Sequence, residues 1–98
     1  MVKKIYEIRL NDEKRKLIRV GDFIVFRKEP ALTEEIKTEI KDLIIFNSFD
    51  SMVESLSSRE IGFDNSNKKE IVDVYHQFYS KEDEQKFGVL AIKLDIIN

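Results

Sequence analysis

The hydrophobic pattern of this chain changes period twice along its 98 residues, and this feature most limits the folds open to it. From Lys4 to Leu10 the residues alternate between two faces, one of them mostly apolar, which is typical of a strand. Between Ser48 and Phe78 apolar residues recur at helical spacing. The closing segment VLAIKLDII again favours a strand. Strands first, helices inserted and a returning strand predict an α+β domain with a small mixed or barrel-like sheet.

Helix starts are predicted at three polar residues, Ser48, Asn67 and Ser80, and Asn67 forms a capping-box pattern with Glu70. The helices are expected to pack against a sheet containing Phe23, Val25 and Leu90. The residues of the two apolar stripes are Phe49, Met52, Val53 and Leu56 in the first, and Ile71, Val74, Tyr75 and Phe78 in the second. The segment from Leu32 to Phe46 is interpreted as one long strand, bent near Asp42.

Composition excludes several classes of protein. The chain has no cysteine, which excludes disulfides and thiolate metal sites, and its single histidine, His76, argues against a zinc site. No apolar run approaches the roughly 20 residues of a membrane helix, and the basic start lacks the apolar region of a signal peptide. We therefore expect a cytoplasmic protein of one domain, residues 1–98, without a membrane partner, a metal or a cofactor.

Basic residues are concentrated at the start of the chain. The first 28 residues contain nine Lys or Arg and four acids, a net charge of +5 in a chain of formal net charge −2. Such a stretch is either a footprint for phosphate or another anion, or a solvated surface with salt bridges. The charge pattern leaves both interpretations open. The candidate phosphate contacts are Lys14, Arg15, Lys16 and Arg19.

An ordered set of short motifs resembles the ASCH domain, a small module of the PUA-like β-barrel superfamily. The motifs are K-K-x-x-E-x-R-L, a short D-E-K-R segment, V-G-D-x-I-x-F, and F-Y-S-K-E-D-E-x-K-F-G-V-L-A-I near the end. The resemblance runs from Lys3 to Leu94. It implies a partly open PUA-like barrel with two to three helices packed around it, and a cleft lined by the Glu-x-Arg strand.

The resemblance also implies a candidate site at Lys4, Glu7 and Arg9, although Lys4 has the opposite strand parity to the other two. Glu60 and Asp64 lie roughly where the family's cleft-lining acid is expected. The superfamily is tied mostly to RNA and modified bases, which favours an RNA or nucleotide-like ligand. The alternatives are an amidohydrolase for an acylated nucleoside such as acetylcytidine, using Lys4 and Glu7, and a protein-interaction module. The sequence therefore leaves open whether the protein is an enzyme.

Two departures from the family pattern lead to a further expectation. Val2 stands where the family motif has glycine, and the chain has neither the first strand nor the short helix that usually precede that position. A barrel without its first strand exposes a sheet edge, and an exposed edge invites pairing with a second copy. An edge of the sheet is thus expected to be left unpaired, or to be covered by a loop or by a second copy of the chain, which would give a homodimer.

Overall fold

The computed structural model describes residues 4–27 and 34–97, and their order of elements is the predicted α+β order. Within these residues the first three strands precede a block of helices, and the last strand returns to the sheet. In chain order the elements are β1 (Tyr6–Leu10), a 3-10 helix (Arg15–Leu17), β2 (Phe23–Arg27), β3 (Glu35–Phe46), α1 (Phe49–Ser55), α2 (Lys68–Phe78), α3 (Lys81–Phe87) and β4 (Val89–Ile96).

The strands form one curled sheet in the order β1-β4-β3-β2, with β1 and β2 at its two edges. Each neighbouring pair in the described part of the chain is antiparallel, so the sheet is antiparallel and not mixed as the sequence analysis allowed. Tyr6 of β1 and Phe26 of β2 line the same pocket of about 260 Å³. The two edges therefore face each other, and the sheet is a partly open half-barrel.

The predicted bend in the third strand is confirmed. The pairing of β3 with β4 shifts register between Ile40 and Asp42, and such an irregularity bends a strand and increases its twist. The bend helps to curl the sheet. The predicted start of this strand, Leu32, lies outside the described residues.

The predicted caps begin all three helices. The side chain of Ser48 accepts a hydrogen bond from the Ser51 N–H, and Ser80 caps α3 in the same way. At α2 the capping box is complete, because Asn67 and Glu70 each bond the other's backbone N–H. Each cap satisfies backbone donors that a helix start otherwise leaves unpaired. None of the helices in residues 4–27 and 34–97 is long and apolar enough to cross a membrane.

The core has two parts, one on each face of the sheet. The larger part packs α1 and α2 against one face and includes Ile8, Phe49 and Ile71. The smaller part lies on the other face and consists of Ile40, Leu90 and Ile92 with their half-buried neighbours. Alternate residues of β4 contribute to the two parts because successive side chains of a strand point to opposite faces.

Part of the predicted packing is wrong. Phe23 and Val25 are exposed, and Leu90 is buried on the face away from the helices. The apolar run FIVF of β2 has no alternation, so its sequence does not show which side chains face the core. In the second helical stripe Ile71 is buried, but Phe78 is 75% exposed. Phe78 is the last residue of α2, and its side chain is not among those packed against the core.

Candidate functional site

A carboxylate held by two cations lies on the edge strand β1. The Arg9 Nη1 lies 2.7 Å from the Glu7 Oε1, and the Lys4 Nζ lies 3.4 Å from the same oxygen. The Glu7 side chain is 17% exposed. The Glu7 Oε2 makes no hydrogen bond within the described ranges. Every buried polar side-chain atom in those ranges has a hydrogen-bond partner, so Oε2 is not buried. It is therefore a solvent-accessible acceptor close to the charges of Lys4 and Arg9.

The outer edge of β1 carries backbone groups that β4 does not use. The Leu94 N–H donates to the Ile5 carbonyl, and the Asn11 N–H donates to the Gly88 carbonyl. In an antiparallel pair of strands, hydrogen-bonded positions alternate, so the odd-numbered residues of β1 bond to β4. The N–H and C=O groups of the even-numbered Ile8 therefore point away from β4. The Ile8 carbonyl accepts a 2.8 Å hydrogen bond from the Arg9 guanidinium. The Ile8 N–H has no partner in the described part of the chain.

A cleft of about 540 Å³ runs along this edge. One side of it is β1 with the preceding Lys4. The other side is formed by residues 61–63 and the second half of α2. Its lining residues are Lys4, Glu7, Ile8, Arg9, Ile61, Gly62, Phe63, Val74, Tyr75, Phe78 and Tyr79. The three residues of the predicted site are thus brought together in one open cleft.

Aromatic rings form the α2 wall of the cleft. The ring of Tyr75 stacks on the buried ring of Phe49, with 4.8 Å between centroids, and meets Phe63 edge-on at 5.7 Å. Tyr79 also stacks on Phe49, at 5.7 Å. These contacts fix Tyr75 and Tyr79, while Phe78 is free of the core and largely exposed. The helical spacing of Tyr75 and Phe78 favoured core positions for both, so spacing alone did not single out this wall.

The hydroxyl of Tyr75 is held in its neutral form. The pKa of the Tyr75 hydroxyl is raised from its ordinary 10.0 to about 12, mainly by burial and also by Glu7 and Tyr79, while Arg9 acts in the opposite direction. The hydroxyl has no hydrogen-bond partner among residues 4–27 and 34–97. Every buried polar side-chain atom in those ranges has a partner, so the hydroxyl must be accessible to solvent. Because its pKa is raised, it keeps its proton at neutral pH.

Gly62 explains how Lys4 reaches Glu7 despite its strand parity. Lys4 lies before the start of β1, and its aliphatic chain passes over Gly62. A Cβ on Gly62 would lie 3.1 Å from the Lys4 Cδ, which is tighter than ordinary van der Waals contact. The φ angle of Gly62 is +94°, in the region that favours glycine. Residue 62 therefore leaves room for Lys4 along the cleft.

The variant Gly62→Ala tests this role. We expect it to lower the free energy of unfolding by about 1–3 kcal/mol, because the backbone conformation is strained for alanine, and also to displace Lys4. Gly21→Ala is a matched control, since Gly21 has φ +96° and no neighbour within 4 Å of a Cβ. Urea denaturation measures the strain in both variants. The NMR signals of the Lys4 methylene groups should move only in Gly62→Ala, and equal movement in both variants would contradict the contact.

The two predicted loop acids do not line the cleft. The backbone carbonyl of Glu60 accepts hydrogen bonds from the Ile5 and Tyr6 N–H groups, at 2.9 and 3.0 Å. The Glu60 side chain turns back to the Ser57 N–H. Asp64 is exposed and lies 3.8 Å from Arg59. Glu60 thus positions the start of β1 through its main chain, and a ligand role for either carboxylate stays a prediction.

The candidate phosphate contacts lie in a separate region of the surface. Arg15, Lys16 and Arg19 surround a shallow depression with residues of β3 and β4, and none of its lining residues belongs to the cleft. Lys14 precedes the 3-10 helix and is exposed. In residues 4–27 and 34–97 no three His, Asp or Glu side chains are grouped so that they could hold a metal ion.

Comparisons with known proteins agree with this architecture. The crystal structure of hypothetical protein PH0355 matches with a TM-score of 0.84 and 37% identity, over 97% of this chain and 83% of that one. The solution NMR structure of protein PF0455 from Pyrococcus furiosus matches with a TM-score of 0.76 and 34% identity, over 98% of this chain and 83% of that one. No curated protein matches the chain.

The family assignment rests on the whole chain. The family model for the ASCH domain matches residues 2–98, and the structural matches above cover nearly the same span at more than 30% identity. The predicted resemblance is confirmed, and with it the small half-barrel and its three helices. This chain belongs to the ASCH domain family.

Proposed function

We propose that this protein binds an RNA or nucleotide-like ligand in the cleft beside β1. One observation carries the proposal: Lys4, Glu7 and Arg9 meet in an open cleft whose opposite wall is aromatic. A cleft of about 540 Å³ is within the range of small-molecule sites, roughly 300–1,000 Å³. It is large enough for one nucleotide.

The chemistry of the cleft suits a base and its phosphate. The accessible Oε2 of Glu7 can accept hydrogen bonds from an exocyclic amine, and a charged acceptor makes such bonds stronger. Lys4 is 47% exposed and Arg9 36% exposed, so both can donate to a phosphate or a carbonyl oxygen. For a longer RNA, Lys14, Arg15, Lys16 and Arg19 would add sequence-independent phosphate contacts away from the cleft.

An amidohydrolase acting on an acylated nucleoside is the second candidate. The observation in its favour is the approach of the Lys4 Nζ to a Glu7 oxygen, 3.4 Å, in an open cleft. An exposed lysine is not activated by desolvation, however, and nearly half of the Lys4 side chain is exposed. Incubation with acetylcytidine, followed by mass spectrometry of the products, tests this candidate.

The third candidate is an interaction module without a ligand. It requires Glu7 and Arg9 to be buried against each other with no pocket beside them, whereas both line an open cleft.

The variant Glu7→Gln tests the binding proposal. We expect it to weaken discrimination among nucleosides by about tenfold or more, since a hydrogen bond to a charged group contributes about 1.5–3 kcal/mol. Binding that depends on salt should remain, because Lys4 and Arg9 are unchanged. The measurement is calorimetric titration with the common nucleoside monophosphates, and with short RNAs at several salt concentrations.

Glu39→Gln is the matched control, because Glu39 also pairs with a cation two residues along a strand, Lys41, at 3.4 Å, but lies outside the cleft. It should leave binding unchanged. The double variant Lys14→Ala with Lys16→Ala should weaken all RNAs alike and flatten the salt dependence. If Glu7→Gln lowers the melting temperature and changes no affinity, Glu7 is a structural ion-pair partner and the proposal is wrong.

A further inference from the structure

We infer that Phe78 and Tyr75 are ligand-contacting residues, and that the cleft takes a single unpaired nucleobase, stacked on Phe78 and hydrogen-bonded along one edge. This inference rests on the proposed function and deepens it. The Glu-x-Arg strand forms one side of such a site, and the end of α2 forms the other.

Phe78 is an exposed aromatic ring in the wall of the cleft. Most large apolar residues that are exposed in the described part of the chain lie elsewhere, on the sheet or near the 3-10 helix. Phe78 is 75% exposed and is the one among them that lines this cleft. A ring in that position has a free face for a base, and stacking of this kind accepts any base because each has a π-face.

Tyr75 supplies a fixed donor in the same cleft as Phe78. Its own ring is clamped between Phe49 and Phe63, so its orientation is set before a ligand arrives. Its accessible hydroxyl has no partner in the described residues. With a pKa near 12 the hydroxyl stays protonated at neutral pH and can donate to a carbonyl or ring-nitrogen acceptor.

The β1 side presents both a donor and an acceptor. The Ile8 N–H points out from the sheet edge, and the Glu7 Oε2 is open to solvent. Nucleobases carry the complementary groups, acceptors next to amino or imino donors, on their planar edges. A ligand that uses this edge and a ring face together must have both free. In a duplex the faces of a base are stacked and its Watson–Crick edge is paired, whereas an unpaired base has both a face and that edge free.

The experiment compares two cleft variants with a control. Phe78→Ala should weaken binding of nucleoside monophosphates by roughly 5- to 150-fold, the range measured for base–aromatic stacking. Its melting temperature should stay near the wild-type value because the ring is outside the core. Tyr75→Phe keeps the stacking on Phe49 and loses only the hydroxyl, so we expect a smaller loss of about 5-fold. Phe23→Ala removes a different exposed aromatic ring, 57% exposed and outside the cleft, and should bind as the wild type does.

Three ligands show whether the bound base belongs to a free nucleotide, to single-stranded RNA or to duplex RNA. A nucleoside monophosphate, a short single-stranded RNA and the same RNA in a duplex are titrated against each variant. The single strand should bind more tightly than the duplex, and comparison with the monophosphate shows whether the base comes from a free nucleotide or from RNA. The inference is overturned if the duplex binds as well as the single strand. It is also overturned if Phe78→Ala and Tyr75→Phe bind normally while Glu7→Gln does not, an outcome that leaves the proposed function standing. If the wild-type protein binds none of the three, the proposed function itself fails.

Discussion

Replacing Phe49 with alanine should lower the free energy of unfolding by about 3–5 kcal/mol, the usual cost of removing a buried phenylalanine ring. Phe49 is fully buried at the start of α1 and stacks on both Tyr75 and Tyr79. Small domains have stabilities of about 5–15 kcal/mol, so the loss is a large part of the total. Urea denaturation followed by circular dichroism measures it.

The control for this prediction is Phe78→Ala, which removes the same ring from an exposed position. We expect that variant to lose less than about 1 kcal/mol. Phe49→Leu is expected to fold with an intermediate stability and to weaken ligand binding, because Tyr75 and Tyr79 lose the ring on which they stack. If Phe49→Ala and Phe78→Ala are equally stable, α1 does not pack on the sheet as described.

Local features of the fold could be predicted because their causes are local. A cap needs only a polar residue a few positions before a backbone N–H, and Ser48, Asn67 and Ser80 each meet that condition. The strand ending at Phe46 was predicted from its β-type residues in spite of its many charges. The bend near Asp42 was predicted as well, and the structure has its register shift there.

The faces of the elements were harder to predict, since they depend on contacts between distant parts of the chain. The run Phe23–Phe26 is apolar at each position, so its sequence does not show which alternate residues face outward; in the structure these are Phe23 and Val25. Phe78 follows the helical spacing of a core residue, yet it is 75% exposed and does not pack against the core. The local sequence could not show either outcome, because each depends on which distant residues cover that position.

In the candidate site, too, some features have local causes and others depend on distant parts of the chain. Glu7 and Arg9 share a face by strand parity, so their approach to each other could be predicted. Strand parity argued against Lys4, and only the family resemblance assigned it to the site. Its approach depends on a glycine 58 positions further along the chain, Gly62, whose missing side chain leaves room for it. The aromatic wall also depends on a distant part of the chain, since it comes from α2.

The homodimer through an exposed edge stays a prediction, and light scattering at several protein concentrations tests it.

Glu84 is a buried carboxylate in the first turn of α3. In the structure it is 6% exposed, and it connects three helices. Its Oε2 accepts a 2.6 Å hydrogen bond from the Phe49 N–H at the start of α1, and its Oε1 forms a 2.7 Å hydrogen bond with the Nε2 of His76 in α2. The long-range partners distinguish Glu84 from Glu82 and Asp83, which share the same helical turn.

We expect Glu84→Ala to lower the free energy of unfolding by about 3–5 kcal/mol, since it leaves a buried backbone N–H and the half-buried His76 without their partner. Glu82→Ala is the control: Glu82 is exposed and lies in the same first turn, so it should cost only the fraction of a kcal/mol that a charge near a helix start contributes. Glu84→Gln keeps an acceptor for the Phe49 N–H and should lie between the two. Thermal and urea denaturation of the three variants give the order. Equal losses in Glu84→Ala and Glu82→Ala would mean that Glu84 acts only through its charge at the start of α3, and that the connection to α1 and α2 contributes nothing.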